Sequence, residues 1–161
     1  MSARRRSKKR SATSFEPPEP LTYFVDRDLG IRDVPAAVRA SGARVELHRD
    51  HFPDDAPDVE WIPYAAERGW VILTQDRGIG RRPNERDLVL STKAMYVCVA
   101  GGSRRGVETA AMIAGHFAIV DGLVRAQPRP LIARVNLAGV LLWDDKAKTW
   151  VQVRKKHLRR R

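Results

Sequence analysis

Seven residues, Trp70-Val71-Ile72-Leu73-Thr74-Gln75-Asp76, constrain this chain more than any others. An unbroken apolar run that follows a glycine and stops at polar residues reads as a strand buried on both faces. Such strands belong to parallel sheets covered by helices on each side. A second stretch, Leu21-Thr22-Tyr23-Phe24-Val25, has the same character and runs into Asp26-Arg27-Asp28. In open parallel sheets, ligands bind beyond the carboxyl ends of the strands. Two strands that end in Asp26 and Asp76 therefore aim carboxylates at one crevice.

The segments between and after these strands alternate in period. Helical spacing predicts a helix over 34–41, capped by Asp33 and closed by Gly42. A strand over 43–47 follows, then a loop over 48–58 dense in ionisable groups, then a helix over 59–68 whose first turn Pro63 disturbs. Beyond the organising strand come a flexible basic loop over 77–82 and a helix from Pro83 to about Ser91. A strand over 94–99 precedes a long helix over 107–125, with Val107, Ala110, Ala111, Ala114, Phe117, Ala118 and Val124 as its apolar stripe. A strand over 131–135 and a terminal β-hairpin built from 140–143 and 149–153 complete the chain. Strands alternating with helices predict an α/β fold: an α/β/α sandwich with a mostly parallel central sheet.

Charge divides the chain further. Of 30 Lys and Arg, six lie in residues 1–10 and six in residues 154–161, where there is no acid. Removing those twelve leaves 18 bases against 19 acids, so the net charge of +11 belongs to the two ends. The expected organisation is a basic, Pro-rich tail over 1–20, one folded domain over 21–153 and a basic tail over 154–161. Basic tails bind phosphate backbones without sequence preference, which points to nucleic acid. A single cysteine, Cys98, allows no disulfide within the chain and reads as a buried, inert thiol. No apolar run suggests a membrane span. The Arg-rich start lacks the hydrophobic segment of a secretory signal, so a cytoplasmic protein is expected.

Asp26 and Asp76 need one more acid to make a site for a hard divalent cation, which prefers carboxylate oxygens and shares its shell with water and phosphate. Glu60 is the natural third, early in the helix that precedes the organising strand. Asp28 can reach the same crevice, and so can Asp58, which also suits a helix cap. Bound cations would lower the pKa of a water and polarise a phosphodiester. The alternative is that these acids stand apart as a turn residue, a cap and a surface charge; spacing alone does not decide. His48, Asp50 and His51 lack a zinc pattern and read as a solvated loop. The glycine-rich loop over 101–106 precedes a helix and carries Arg104 and Arg105, while Arg77 follows Asp76. These arginines are candidates for contact with an RNA backbone.

Taken in order, Phe24-Val25-Asp26-Arg27-Asp28-Leu29-Gly30, His51-Phe52-Pro53-Asp54, Pro57-Asp58-Val59-Glu60-Trp61-Ile62 and Gly69-Trp70-Val71-Ile72-Leu73-Thr74-Gln75-Asp76 resemble the PIN-like proteins of the VapC-type toxin group over about residues 21–100. The resemblance implies a parallel α/β/α fold and an acidic pocket that binds Mg²⁺ or Mn²⁺ and cuts single-stranded RNA. It implies metal binding by Asp26, Asp76 and Glu60, a neighbouring antitoxin as partner, and homodimers. A further acid often found later in such domains has no evident match, since Arg77, Arg82 and Lys93 occupy parts of that region. The expected function is a metal-dependent endoribonuclease, the toxin of a toxin–antitoxin pair. The alternatives are a non-catalytic nucleic-acid-binding module whose tails carry the affinity, and a nucleotide-binding protein that uses the loop over 101–106.

Overall fold

The computed structural model describes residues 17–101 and 104–160. The basic segment 1–10, Arg161, and Gly102 and Ser103 of the glycine-rich loop lie outside the described residues. Among the described residues, seven strands form one sheet in the order β2-β1-β3-β4-β5-β6-β7: β1 Thr22–Val25, β2 Arg44–Leu47, β3 Val71–Gln75, β4 Met95–Val99, β5 Leu131–Asn136, β6 Gly139–Asp144 and β7 Thr149–Gln152. The pairs from β2 through β5 are parallel; β6 joins β5, and β7 joins β6, antiparallel. The terminal hairpin therefore extends the main sheet.

Successive side chains on a strand point to opposite faces, and the core divides accordingly. Tyr23, Val25, Val71, Leu73, Val97 and Ala133 face one cluster together with α1 (Asp33–Ala40) and α5 (Gly106–Ala126). Phe24, Ile72, Tyr96, Cys98 and Ile132 face the other, together with α3 (Asp58–Glu67) and α4 (Pro83–Ser91). This two-sided covering gives β3 and β4 their continuous apolar runs. Gly69, at φ +71°, turns the chain from α3 into β3 in a conformation that a side chain would strain.

Several local expectations are corrected. Asp33 and Asp58 do not cap: each is the first residue of its helix, with Arg32 and Pro57 in the cap positions. The ionisable loop begins as one helical turn, α2 (His48–His51), and His48 is only 1% exposed. It is not solvated, because Phe24, Phe52 and Trp61 box its ring at centroid distances of 5.9, 5.7 and 5.7 Å. The basic loop after β3 is pinned by Ile79, buried in the α3–α4 cluster within a 3-10 turn. Pro63 sits inside an otherwise continuous α3.

The buried face of α5 is also rotated from the expected stripe. Ala110, Ile113, Phe117, Val120 and Val124 are buried, whereas Val107, Ala111, Ala114 and Ala118 are exposed. Alanines tolerate either environment, and the bulkier side chains set the rotation. At 21 residues α5 is long and apolar enough to qualify as a membrane span, contrary to expectation. Burial accounts for 39% of that apolar window. Near the C-terminal end, Lys155–Leu158 forms a 3-10 turn, with Leu158 packed on the α1–α5 cluster and the His157 carbonyl accepting from Gln127 at 2.6 Å.

Candidate active site

Asp26 directly follows β1, and its N–H continues the ladder by donating to Leu73 O at 2.9 Å. This sets Asp26 beside Thr74. Thr74 is level with Cys98, and Cys98 with Arg134. Asp26, Thr74, Cys98 and Arg134 thus form one row across four parallel strands, near the sheet's carboxyl edge and on its α3–α4 face. Asp76 lies two residues beyond Thr74 and keeps the same facing.

Asp26 is 5% exposed. Its Oδ1 accepts from Arg27 N at 2.7 Å, and its Oδ2 accepts from the Thr74 hydroxyl at 2.7 Å. Burial pushes its pKa up from the usual carboxylate value. The two hydrogen bonds oppose that rise, and the charge of Asp28 adds to it.

Asp76 is held differently. Its N–H donates to Val99 O at 2.8 Å, its Oδ1 accepts from Gly78 N at 2.8 Å, and its Oδ2 pairs with Arg134 Nε. The Arg134 guanidinium in turn lies over the Trp150 ring, 4.1 Å from its centroid. The two aspartates share an edge and a face, yet Asp26 is tied to β3 and Asp76 to β5.

The other predicted acids are more dispersed. Asp28 pairs with Arg77 at 2.6 Å and borders a cleft of about 460 Å³ with Arg27, His48 and Asp54. Glu60 and Asp58 are exposed in the first turn of α3. Among the described residues, no three His, Cys, Asp or Glu side chains converge as a ready metal cage. Of the arginines, Arg104 shares a small cleft with Asp28 and Gln75, on the side of the edge that faces α5. Arg105 pairs with Glu108, and Arg77 is engaged by Asp28.

Sequence reading passes over Glu85, Thr74 and Arg134, and places His48 in a solvated loop. Glu85 of α4 is mostly buried and accepts from Tyr96 Oη at 3.1 Å. With Asp76, it adds to the rise that burial gives the Cys98 thiol pKa, while Arg134 opposes it. It lies between Arg82 and Lys93, in the region where the resemblance offers no evident acid. Its signal is the four-residue spacing from the fully buried Val89, which turns both inward on α4. Thr74 reads as one more strand residue, and no sequence signal marks it as the partner of Asp26. His48 contributes a buried ring whose Nε2 lies 3.4 Å from Arg27 Nη1 and whose Nδ1 has no partner among the described residues. Burial lowers its pKa from the usual imidazole value, against the opposing pull of the Asp26 charge.

A second cleft of about 620 Å³ opens beside Asp76, bounded by Arg81, Arg134, Trp143, Lys148 and Trp150. One edge thus presents carboxylates beneath a rim of arginines, lysine and aromatic rings. Such an edge can bind a hard cation together with a phosphate ester.

Comparison with known proteins agrees in outline. A family profile described as a PIN like domain matches residues 21–101. A Mycobacterium tuberculosis protein described as "Putative ribonuclease VapC45" is 33% identical over 117 residues, covering 70% of this chain and 84% of that relative. No solved structure matches significantly.

Proposed function

The chain belongs to the PIN-like domain family, and from that premise we propose that it is a cytoplasmic, metal-dependent endoribonuclease that cuts single-stranded RNA and serves as the toxin of a toxin–antitoxin pair. The observation that carries this reading is Asp26: a desolvated carboxylate, oriented through both oxygens, at the carboxyl edge of a parallel sheet.

The donor set fits Mg²⁺ or Mn²⁺. It is made of hard carboxylate oxygens, and magnesium needs only one or two of them when waters and substrate phosphates complete its shell. A carboxylate whose ionised form is disfavoured by burial gains most from a nearby cation. We assign Asp26 and Asp76 as the residues that would hold the metal, with Glu60, Asp28 and Asp58 acting through water. When bound, the cation would activate a water and polarise the phosphodiester.

The chain's own residues supply the rest. Thr74 and the Arg27 backbone N–H fix the rotamer of Asp26. Gly78 N–H holds one oxygen of Asp76, while Arg134 holds the other. Arg77, Arg81 and Lys148 offset the charge of an incoming backbone, and Arg104 and Arg105 extend that field along the edge. An antitoxin partner and a homodimer follow from the same reading.

The test is calorimetric titration of Mn²⁺ into the full chain, alongside single-stranded RNA cleavage, for wild type and for Asp26→Asn and Asp76→Asn. Metal binding and cleavage should fall together in both variants. Undiminished cleavage in both would sink the assignment.

A second reading is favoured by one contact. Arg134 engages Asp76, and a carboxylate already paired with an arginine binds a cation less well. On this view the chain is a non-catalytic RNA-binding module. It would show salt-sensitive binding with no cleavage under any divalent metal.

A further inference from the structure

The hairpin of β6 and β7 lies outside residues 21–101, the span that the family profile matches. It brings Trp143 and Trp150 into direct register across the antiparallel pair, with ring centroids 5.3 Å apart and planes at 66°. The register from Arg134 to Leu141, and the alternation to Trp143, put both indoles on the same face as Arg134 and Asp76. The cleft of about 620 Å³ runs between them and Asp76.

The wall is built to be rigid. Gly80 lies against the rings: a β-carbon there would come within 3.1 Å of Trp150 Nε1 and 3.5 Å of Trp143 Cζ3. The Trp143 Nε1–H donates to Asp145 at 3.2 Å, and Arg86 sits over the Trp143 ring at 5.3 Å while donating to Gly80 O at 2.9 Å. Both tryptophans nevertheless remain partly exposed on the cleft. Exposed Arg81 and Lys148 stand at its border, the Lys148 ammonium also pairing with exposed Asp145 at 2.8 Å.

We infer that this cleft is a subsite for one unpaired nucleotide of a single-stranded RNA, its base stacked on the Trp143–Trp150 wall and its phosphate facing Arg81 and Lys148. Stacking platforms with flanking cations are how proteins hold single strands without reading their sequence. Rings placed only to plug the core would require neither an open cleft nor cations around its mouth. RNA as the occupant rests on the nuclease reading, because the cleft adjoins Asp76. The platform would hold a strand next to the reactive edge.

The test separates this subsite from the chemistry. A 2′-O-methyl RNA octamer, which resists cleavage, is titrated into the full chain in EDTA, with tryptophan fluorescence and direct binding as readouts. A second octamer has abasic sugars in place of its nucleotides. The basic ends of the chain hold both equally, so the difference reports the stacking. Wild type should bind the normal octamer roughly tenfold tighter than the abasic one. Trp150→Leu should lose that preference, and Trp150→Phe should keep most of it.

Equal binding of the two octamers by wild type would overturn the subsite, whether or not the variants fold. So would a folded Trp150→Leu that keeps the full base preference. Wild type that prefers bases but cuts no RNA with metal would retain the subsite and sink the nuclease reading. Wild type that cuts but shows no base preference would do the reverse.

Discussion

The Thr74 hydroxyl donates a 2.7 Å hydrogen bond to Asp26 Oδ2 across neighbouring parallel strands, 48 residues apart in sequence. This bond and the Arg27 backbone N–H are what keep a nearly buried carboxylate in one orientation.

Replacing Thr74 with Val removes that donor at almost constant volume. The buried acceptor then loses a partner, at a cost of roughly 1–3 kcal/mol in unfolding free energy. The Asp26 pKa moves further up, because the lost bond is one that lowers it. Mn²⁺ affinity should fall about tenfold or more, as when other supporting partners of a metal ligand are lost. Urea unfolding and calorimetry check both; an unchanged affinity would mean that Asp26 is not a ligand.

Asp26→Asn should abolish cleavage, by more than about a hundredfold, while raising stability at pH 7. Since the folded pKa of Asp26 is raised, the native state holds more protons than the unfolded state between the usual value of 3.8 and the folded one. Wild-type stability contributed by this group is therefore present below 3.8 and lost as pH rises through the folded pKa. Asn removes that loss and can still satisfy both Thr74 and Arg27. The melting temperature of the variant should exceed wild type at pH 7, with the gap closing in acid.

Asp76 and Arg134 should be energetically coupled. Measured through Asp76→Asn, Arg134→Gln and the double variant, the coupling free energy should be roughly 1–3 kcal/mol by urea unfolding. If Asp76 is a metal ligand, Arg134→Gln should tighten Mn²⁺ binding several-fold, since a competing cation has gone. Weaker binding would place Arg134 in support of the site.

His48 tests the aromatic box. Its folded pKa lies below 6.5 because burial disfavours the imidazolium. Its contribution to stability is present above 6.5 and lost as pH falls through the window beneath, where the unfolded chain takes up the proton first. His48→Gln should flatten that part of the stability profile. A ring that titrates at or above 6.5 by NMR would contradict the burial.

Deleting residues 1–10 removes six bases. The dependence of log affinity for single-stranded RNA on log salt should become shallower by as much as about four units. The base-versus-abasic preference at the tryptophan wall should be untouched.

The strand sequences made the architecture legible. Runs such as Val71-Ile72-Leu73 and Met95-Tyr96-Val97-Cys98-Val99 are apolar at every position, and only a sheet covered on both sides buries both sets. The placement of Asp26 and Asp76 at strand ends was legible for the same reason, since Asp26 directly follows its apolar run and Asp76 follows its own after Thr74 and Gln75. The rotation of α5 was not, because an alanine-rich helix offers two plausible faces. The burial of His48 was hidden too: Phe24 comes from β1 and Trp61 from α3, while Phe52 closes the His48 turn itself.

The sequence by itself therefore determined the α/β/α layering, the order of the elements, and which acids end which strands, because periodicity and local breakers are encoded within single segments. The tertiary structure alone decided what those acids touch. Sheet order puts β3 between β1 and β4, so that Thr74 reaches Asp26, and puts β5 next, so that Arg134 reaches Asp76. It also decided that Glu85 points inward and that Trp143 and Trp150 wall a cleft beside Asp76. A hydrogen bond or ion pair depends on strand register between segments tens of residues apart, and that register is set by packing across the whole sheet.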